Sequence, residues 1–161
     1  MVKMIAAGTV TLVGLLNGAV AWAAPPTREE IVKVMDYLEA GQEGPVLLEA
    51  TPCLKVDKKA GDTKKSCVEP VSGPVARKTT VNLWMRWFVP KGQKVTEDDL
   101  DVQFVHKGEV EEKKGFSLDT DQGSSNYAVY KAKGLSKAGE WELRVRYKGT
   151  AVETVKVTVS E

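Results

Sequence analysis

The sequence predicts a mostly β protein: an antiparallel β-sandwich of seven or eight strands with one short N-terminal α-helix. Short segments of alternating apolar and polar residues recur along residues 46–161, with turn residues between them. In Thr79–Pro90, five apolar residues share one parity, namely Val81, Leu83, Met85, Trp87 and Val89. Because alternate residues of a strand face the same side, this segment predicts a central strand with one face in a core. Several short strands at such spacing are typical of a sandwich or barrel.

Residues 1–23 are predicted to be a cleaved signal peptide. Lys3 provides a positive start, residues 4–20 form an apolar run, and Ala21-Trp22-Ala23 matches an Ala-x-Ala cleavage site. A membrane anchor is the alternative, but glycines and an asparagine interrupt the run and no charged stop-transfer flank follows it. We therefore expect a mature chain that is periplasmic or secreted and does not span a membrane.

The charge balance argues against general nucleic-acid binding. The chain holds 23 Lys and Arg residues against 22 Asp and Glu residues, a formal net charge of +1. Removal of Lys3 with the signal peptide brings the net charge to zero, whereas sequence-independent binding to nucleic acid requires a positive surplus. We therefore expect no nucleic-acid partner.

Residues 24–45 predict a helix followed by a linker. Thr27-Arg28-Glu29-Glu30 matches a capping box, in which Thr27 is the N-cap and Glu30 bonds back to its amide. Ile31, Val34, Met35 and Leu38 follow at helical spacing, and Gly41 suits the C′ position. We interpret this apolar stripe as facing inward, with the helix covering an edge or an open end of the sandwich. A contact with a partner or within a dimer is the alternative.

Cys53 and Cys67 lie in two extended segments separated by a polar tract. In an exported protein, two cysteines in this setting predict a disulfide. A metal site with two thiolates is the alternative, but no second pair of ligands exists and His106 is far along the chain. The first of these segments, Val46–Val56, is predicted to be a strand that is broken or bulged at Pro52.

Two hairpins with the same pattern follow the Thr79–Pro90 strand. Lys107-Gly108 and Lys148-Gly149 each connect two alternating segments, and the glycine is expected to supply a positive φ angle. The connected segments are Val102–His106 with Glu109–Glu111, and Trp141–Tyr147 with Val152–Val159. Two further short strands are expected at Gly115–Leu118 and Tyr127–Tyr130.

The C-terminal part of the chain resembles a known domain type. Ala138-Gly139-Glu140-Trp141-Glu142-Leu143, the Lys-Gly hairpin and the valine-rich last strand resemble the closing strand pair of immunoglobulin-like domains in bacterial exported proteins. The resemblance covers roughly residues 79–161 and implies an immunoglobulin-like sandwich, but no activity, because such sandwiches carry many functions. Leu143 stands where antibody domains place a cysteine, so Cys53 and Cys67 cannot form the inter-sheet bridge of those domains.

The sequence lacks the residues that nucleophilic catalysis requires, which are a nucleophile, a base and an orienting group. Both cysteines are expected to be oxidised, no Gly-x-Ser-x-Gly motif occurs, and His106 is the single histidine. His106 shares its parity with Val102 and Phe104, which places it at the rim of the core. We therefore predict that the protein is not an enzyme and uses no cofactor.

Two candidate binding sites remain. Asp119, Asp121 and Asn126 lie in a loop whose spaced carboxylates suit calcium, although the same residue types are typical of tight turns. Trp84, Arg86 and Phe88 share the second face of the Thr79–Pro90 strand, and aromatic rings beside a guanidinium can stack on sugars or anchor a protein. The alternative is that the N-terminal helix or a loop covers this face as part of the core.

These observations predict a non-catalytic exported protein that binds another macromolecule, which we expect to be a protein of the cell envelope. A carbohydrate- or small-ligand-binding module that uses the aromatic face is the first alternative. An enzyme with an unrecognised site is the second. Exposure of Trp84 and Phe88 would favour the ligand-binding module, and groups that converge on His106 would favour the enzyme.

Overall fold

The computed structural model describes residues 27–41, 43–58, 65–90, 92–119 and 126–161. Within these residues the chain forms one α-helix and ten β-strands. They are α1 (Arg28–Glu39), β1 (Val46–Asp57), β2 (Ser66–Pro70), β3 (Thr79–Phe88), β4 (Lys94–Val95), β5 (Leu100–His106), β6 (Glu109–Gly115), β7 (Leu118–Asp119), β8 (Asn126–Leu135), β9 (Gly139–Tyr147) and β10 (Thr150–Val159). The predicted signal peptide lies outside the described residues. No helix in the described ranges is long and apolar enough to cross a membrane.

The strands form a sandwich of two antiparallel sheets. Sheet A has the strand order β2-β1-β3-β8, sheet B has the order β10-β9-β5-β6, and β4 pairs separately with β7. This architecture confirms the predicted β-sandwich with one N-terminal helix. The described residues contain more strands than the seven or eight expected. The segment Gly115–Leu118, predicted to be one strand, is divided, because Gly115 ends β6 and Leu118 begins β7. The two-residue β4 is also too short to show alternation in the sequence.

One hydrophobic core fills the space between the two sheets. The five apolar residues that share one parity along β3 and the residue after it are fully buried, as predicted: Val81, Leu83, Met85, Trp87 and Val89. Trp87 from sheet A and Trp141 from sheet B belong to the same core. The inner faces of the two strands therefore meet as the parity predicted, and large aromatic side chains supply much of the buried apolar area.

Strand β1 runs through Pro52, so the predicted break at this residue is wrong, although the pairing of β1 with β2 shifts next to it, between Cys53 and Lys55. The pairing of β1 with β3 shifts between Leu47 and Glu49 instead, and Pro52 pairs with Leu83. The Pro52 carbonyl accepts a hydrogen bond from the Val71 N–H at 2.8 Å, on the edge of β1 that faces β2. The N–H that proline lacks belongs to this same edge, so the ladder between β1 and β3 loses no hydrogen bond.

Both Lys-Gly hairpins turn with two residues in the left-handed region. The φ angle is 51° at Lys107, 84° at Gly108, 47° at Lys148 and 82° at Gly149. Two successive positive φ angles are typical of a type I′ turn, whose twist matches that of the flanking strands. The predicted positive φ at the glycines is confirmed, and the lysines share it.

Candidate functional site

Trp84, Arg86 and Phe88 lie on the outer face of sheet A, where other parts of the chain partly cover them. Trp84 is 8% exposed and packs against Cys53 and Ala128. Its indole Nε1 donates a hydrogen bond to the Lys65 carbonyl oxygen at 2.9 Å. Phe88 is half-buried. Trp84 is therefore closed off from solvent by the segment that leads into β2.

The disulfide between Cys53 and Cys67 confirms the predicted pairing and joins β1 to β2. The two Cα atoms are 5.9 Å apart, which is an ordinary disulfide separation. The Nζ atoms of Lys58 and Lys65 lie 5.4 and 5.8 Å from the centre of the Tyr130 ring. A small apolar cluster lies on the outer face of sheet A, separate from the core between the sheets. Its buried members are Cys53, Val56, Trp84 and Ala128, and Cys67 and Tyr130 pack against them.

Arg86 connects sheet A to α1 through Glu30. The Arg86 guanidinium is ion-paired with the Glu30 carboxylate, and the Glu49 carboxylate lies 3.8 Å from the same guanidinium. The Glu30 side chain is 8% exposed and that of Arg86 is 25% exposed. A carboxylate buried to this extent requires a charged partner, because an unpaired buried charge costs several kcal/mol. Arg86 thereby anchors the helix to the sandwich.

The Glu30 carboxylate also fixes the first turn of α1. Its Oε2 accepts from the Thr27 N–H at 2.7 Å, while the Thr27 hydroxyl accepts from the Glu30 N–H at 3.3 Å. The predicted capping box is therefore confirmed. Lys33 adds a further contact, since its Nζ donates to the Leu48 carbonyl oxygen at 3.3 Å. Polar side chains thus attach α1 to strands β1 and β3.

The predicted inward stripe of α1 is wrong for Ile31, Met35 and Leu38, which are exposed to solvent, while Val34 is half-buried. Ile31 and Val32 are each 46% exposed, Met35 is 52% exposed and Leu38 is 55% exposed. The least exposed side of the helix carries Glu30, Val34 and Tyr37, and Ile31, Val32, Met35 and Leu38 are left on the solvent side. Helical periodicity reports that one face is apolar but not which face packs. Clustered apolar exposure of this kind is typical of an interaction surface.

We call this exposed face, with the charges at its two ends, the α1 surface. It consists of Arg28, Ile31, Val32, Met35, Leu38 and Glu39. Positions 28, 32, 35 and 39 are spaced by four, three and four residues, so they follow one line along the helix. Arg28 and Glu39 are exposed, and among the described residues neither belongs to an ion pair. Val32 and both charges lie outside the simple apolar stripe of the sequence, so its periodicity did not identify them.

A small polar groove separates the start of α1 from sheet A. Its lining residues are Thr27, Glu29, Glu30, Lys33, Leu48, Glu49 and Arg86. The cationic groups among them are engaged, Arg86 by two carboxylates and Lys33 by a carbonyl oxygen. This set of residues therefore offers neither a nucleophile nor a free cation for an anionic ligand.

His106 is buried at the rim of the core, as its parity predicts. Its Nε2 lies 2.9 Å from the Ala138 carbonyl oxygen, and its ring packs on Trp141 with centroids 4.9 Å apart. These contacts satisfy a buried imidazole without any reacting partner and are typical of a structural residue.

The candidate calcium loop lies largely outside the described residues. Asp119 ends β7, Asn126 begins β8, and Asp121 belongs to the undescribed stretch between them. In the part of the chain that the structure describes, no three His, Cys, Asp or Glu side chains form a group that could hold a metal ion. The calcium site stays a prediction.

Charged side chains close one open side of the sandwich, between β6 and β8. Lys133 Nζ lies 2.8 Å from a Glu112 carboxylate oxygen, and this hydrogen bond lowers the pKa of Glu112. Lys131 Nζ lies 5.5 Å from the centre of the Phe116 ring. Burial, and then repulsion from Lys114, lower the pKa of Lys131. Such lysines protect a sheet edge from pairing with another chain.

No family model matches the sequence, and no curated protein matches it. Among solved structures, the chain is similar to the Pseudomonas fluorescens alkylpurine DNA glycosylase AlkC bound to DNA containing an abasic site analogue, with a TM-score of 0.45 and 11% identity. The match covers 82% of this chain and 35% of that chain, so this chain spans about a third of its neighbour's length.

This neighbour contradicts the predicted function, because it is a DNA glycosylase bound to DNA and not a non-catalytic protein that engages an envelope protein. The prediction of a protein that engages an envelope protein is therefore wrong by this comparison. At a TM-score below 0.5, the likeness carries no argument for DNA binding or catalysis by this chain.

Proposed function

We propose that this chain is an exported, non-catalytic β-sandwich domain of the immunoglobulin-like class that assembles with a second copy of itself through the α1 surface. The observation that carries the proposal is the orientation of α1, which Glu30 and Lys33 attach to the sandwich while Ile31, Val32, Met35 and Leu38 are exposed. A helix of 12 residues is stabilised mainly by burial of its apolar face. In this chain Val34 is half-buried, and burial of the four exposed apolar residues requires a second molecule.

Export and the absence of catalysis have separate support. Disulfides persist in oxidising compartments, so the Cys53–Cys67 bond and the predicted leader at residues 1–23 favour the same location. The zero net charge of the predicted mature chain favours no nucleic-acid partner. His106 is held by structural contacts, which favours a domain without a catalytic centre.

A second copy suits the α1 surface because this surface is self-complementary. Its two ends carry opposite charges, Arg28 and Glu39, and apolar residues lie between them. Identical patches related by a two-fold axis are the commonest means by which soluble proteins associate. The edge of sheet A at β8 is a poorer contact, since Lys131 and Lys133 protect it.

Sedimentation velocity of the mature chain across a range of concentrations tests the proposal. We expect a reversible dimer with a Kd in the micromolar range or weaker, because one short helix buries less than the roughly 800 Å² per partner of a standard interface. Met35→Glu places a charge in the apolar centre of the surface and should leave a monomer. The matched control is Val110→Glu on β6, where another exposed valine lies away from α1. A wild-type chain that stays monomeric, or a dimer that Met35→Glu leaves intact, would contradict the proposal.

A further inference from the structure

We infer that the two α1 helices of this dimer pair antiparallel about a two-fold axis, with Arg28 of each copy against Glu39 of the other. The inference rests on the proposed self-association and adds its register. Positions 28, 32, 35 and 39 follow one line along the helix. When the axis passes midway between residues 33 and 34, position 28 lies opposite position 39 and position 32 lies opposite position 35.

This register places the apolar residues in the centre of the contact and the charges at its rim. Val32 of one copy meets Met35 of the other, and the symmetry repeats the contact. Ile31 and Leu38 lie beside this pair and widen the apolar strip. An apolar centre with a polar rim is the usual anatomy of a protein interface.

Charge selects the antiparallel arrangement over the parallel one. A parallel pairing in register would bring Arg28 beside Arg28 and Glu39 beside Glu39, and like charges at this spacing repel. The antiparallel pairing replaces both repulsions with ion pairs. Opposed charges of this kind fix the register of an interface more than they raise its affinity.

The positions of Arg28 and Glu39 are unfavourable within a single copy of α1. A helix macrodipole favours acidic residues in the first turn and basic residues in the last, which is the reverse of these two. In the described residues neither side chain has an ion-pair partner. Antiparallel pairing removes the conflict, because each charge then lies beside both an opposite charge and the opposite end of the partner helix.

Charge reversal at the two positions tests the register by sedimentation equilibrium. Arg28→Glu alone and Glu39→Arg alone should each weaken the dimer about tenfold, because each turns two ion pairs into two repulsions. The double variant Arg28→Glu/Glu39→Arg should recover the wild-type Kd. The control is Glu109→Arg, at an exposed position in β6, which should leave the Kd unchanged.

A second measurement separates lost pairing from a damaged helix. Both reversals agree with the macrodipole, so the Tm of the dilute monomer should stay constant or rise in each variant. If Met35→Glu abolishes the dimer but neither single reversal weakens it, the register is overturned and the self-association stands. Single reversals that weaken the dimer without recovery in the double variant also overturn the register. A monomeric wild-type chain overturns both.

Discussion

Glu30 of α1 and Arg86 of β3 are ion-paired on the outer face of sheet A, and this contact decides which side of the helix faces solvent. The same carboxylate accepts from the Thr27 N–H at 2.7 Å, so one side chain both caps the helix and anchors it. The anchor lies on the same side of α1 as Val34 and Tyr37. Most surface helices bury their apolar residues, but Ile31, Val32, Met35 and Leu38 are exposed and free for another contact.

Loss of the Glu30 carboxylate should destabilise the whole domain. Glu30→Ala removes the ion pair and half of the capping box, and we expect a decrease of roughly 1 to 3 kcal/mol in the free energy of unfolding. The partial exposure of Arg86 keeps this below the value for a fully buried pair. Urea denaturation at neutral pH measures it. The adjacent, exposed Glu29→Ala should change the stability by less than about 0.5 kcal/mol, and equal effects of the two variants would show that the anchor contributes nothing.

The two core tryptophans should respond differently to replacement by phenylalanine. Trp141 Nε1 donates to the Lys137 carbonyl oxygen at 2.9 Å, whereas Trp87 Nε1 is buried with no partner among the described residues. Trp141→Phe therefore leaves a carbonyl unsatisfied and should cost about 1 kcal/mol more than Trp87→Phe. Alanine at either position should cost roughly 3 to 5 kcal/mol, because a large cavity remains. Urea midpoints rank the four variants, and the reverse order of the phenylalanine pair would contradict the assigned hydrogen bond.

Removal of the disulfide should open the outer face of sheet A while the main core stays folded. The double variant Cys53→Ala/Cys67→Ala should lose about 3 kcal/mol of stability in the chain-entropy model. Trp84 should then become accessible to acrylamide in a fluorescence-quenching experiment, because the segment that carries Lys65 is no longer tethered. Trp87 and Trp141 should stay protected, since they belong to the separate core.

Trp84→Phe in the same cysteine-free background identifies the source of the quenched signal. The additional quenching should disappear with Trp84. Quenching that persists would show that the core itself has opened, contrary to the separation of the two apolar clusters.

The sequence was informative wherever one strong local rule applied. The parity of β3 predicted its buried face, because every residue from Val81 to Val89 on that parity is apolar. The capping box at Thr27 and the disulfide at Cys53 were equally predictable, since each depends on residues close in the chain. These features need no knowledge of the tertiary arrangement.

The orientation of α1 could not be predicted because it depends on a long-range ion pair. Glu30 and Arg86 are 56 residues apart in the printed sequence, and neither residue type signals the other. Periodicity favoured burial of the apolar stripe, and the anchor overrides it. The aromatic side of β3 was open to two interpretations for the same reason, since only tertiary contacts place Lys65 over Trp84.

The contact between Glu112 and Lys133 predicts a specific pH dependence of stability. The hydrogen bond from Lys133 lowers the pKa of Glu112 below its usual 4.5. The folded state therefore binds this proton less tightly than the unfolded chain. Its stabilising contribution is complete above the unfolded pKa and is lost as the pH falls through the folded pKa. Glu112→Gln should lower the stability at neutral pH, and the difference from wild type should shrink as the pH is lowered below about 4.5.

Urea titrations at several pH values measure this difference. We expect it to be small, because the Glu112 side chain is 36% exposed and solvent screens the pair. Glu109→Gln, at an exposed position of the same strand, is the control and should show no such trend. A difference that grows toward acid would mean that the sign of the shift is reversed.

The two type I′ turns predict stabilising substitutions. Lys107 and Lys148 adopt φ angles of 51° and 47°, where a lysine side chain is disfavoured and asparagine is better tolerated. Lys107→Asn and Lys148→Asn should each raise the free energy of unfolding by roughly 0.5 kcal/mol, in line with the preference of such turns for Asn-Gly. The antiparallel pairing of β5 with β9 places the two turns at opposite ends of sheet B, so the gains should add in the double variant. Lys107→Ala is the matched control, because alanine also has a Cβ and suffers the same strain without the tolerance of asparagine. If Lys107→Asn has no higher free energy of unfolding in urea than Lys107→Ala, the positive φ angle of Lys107 does not destabilise the native turn.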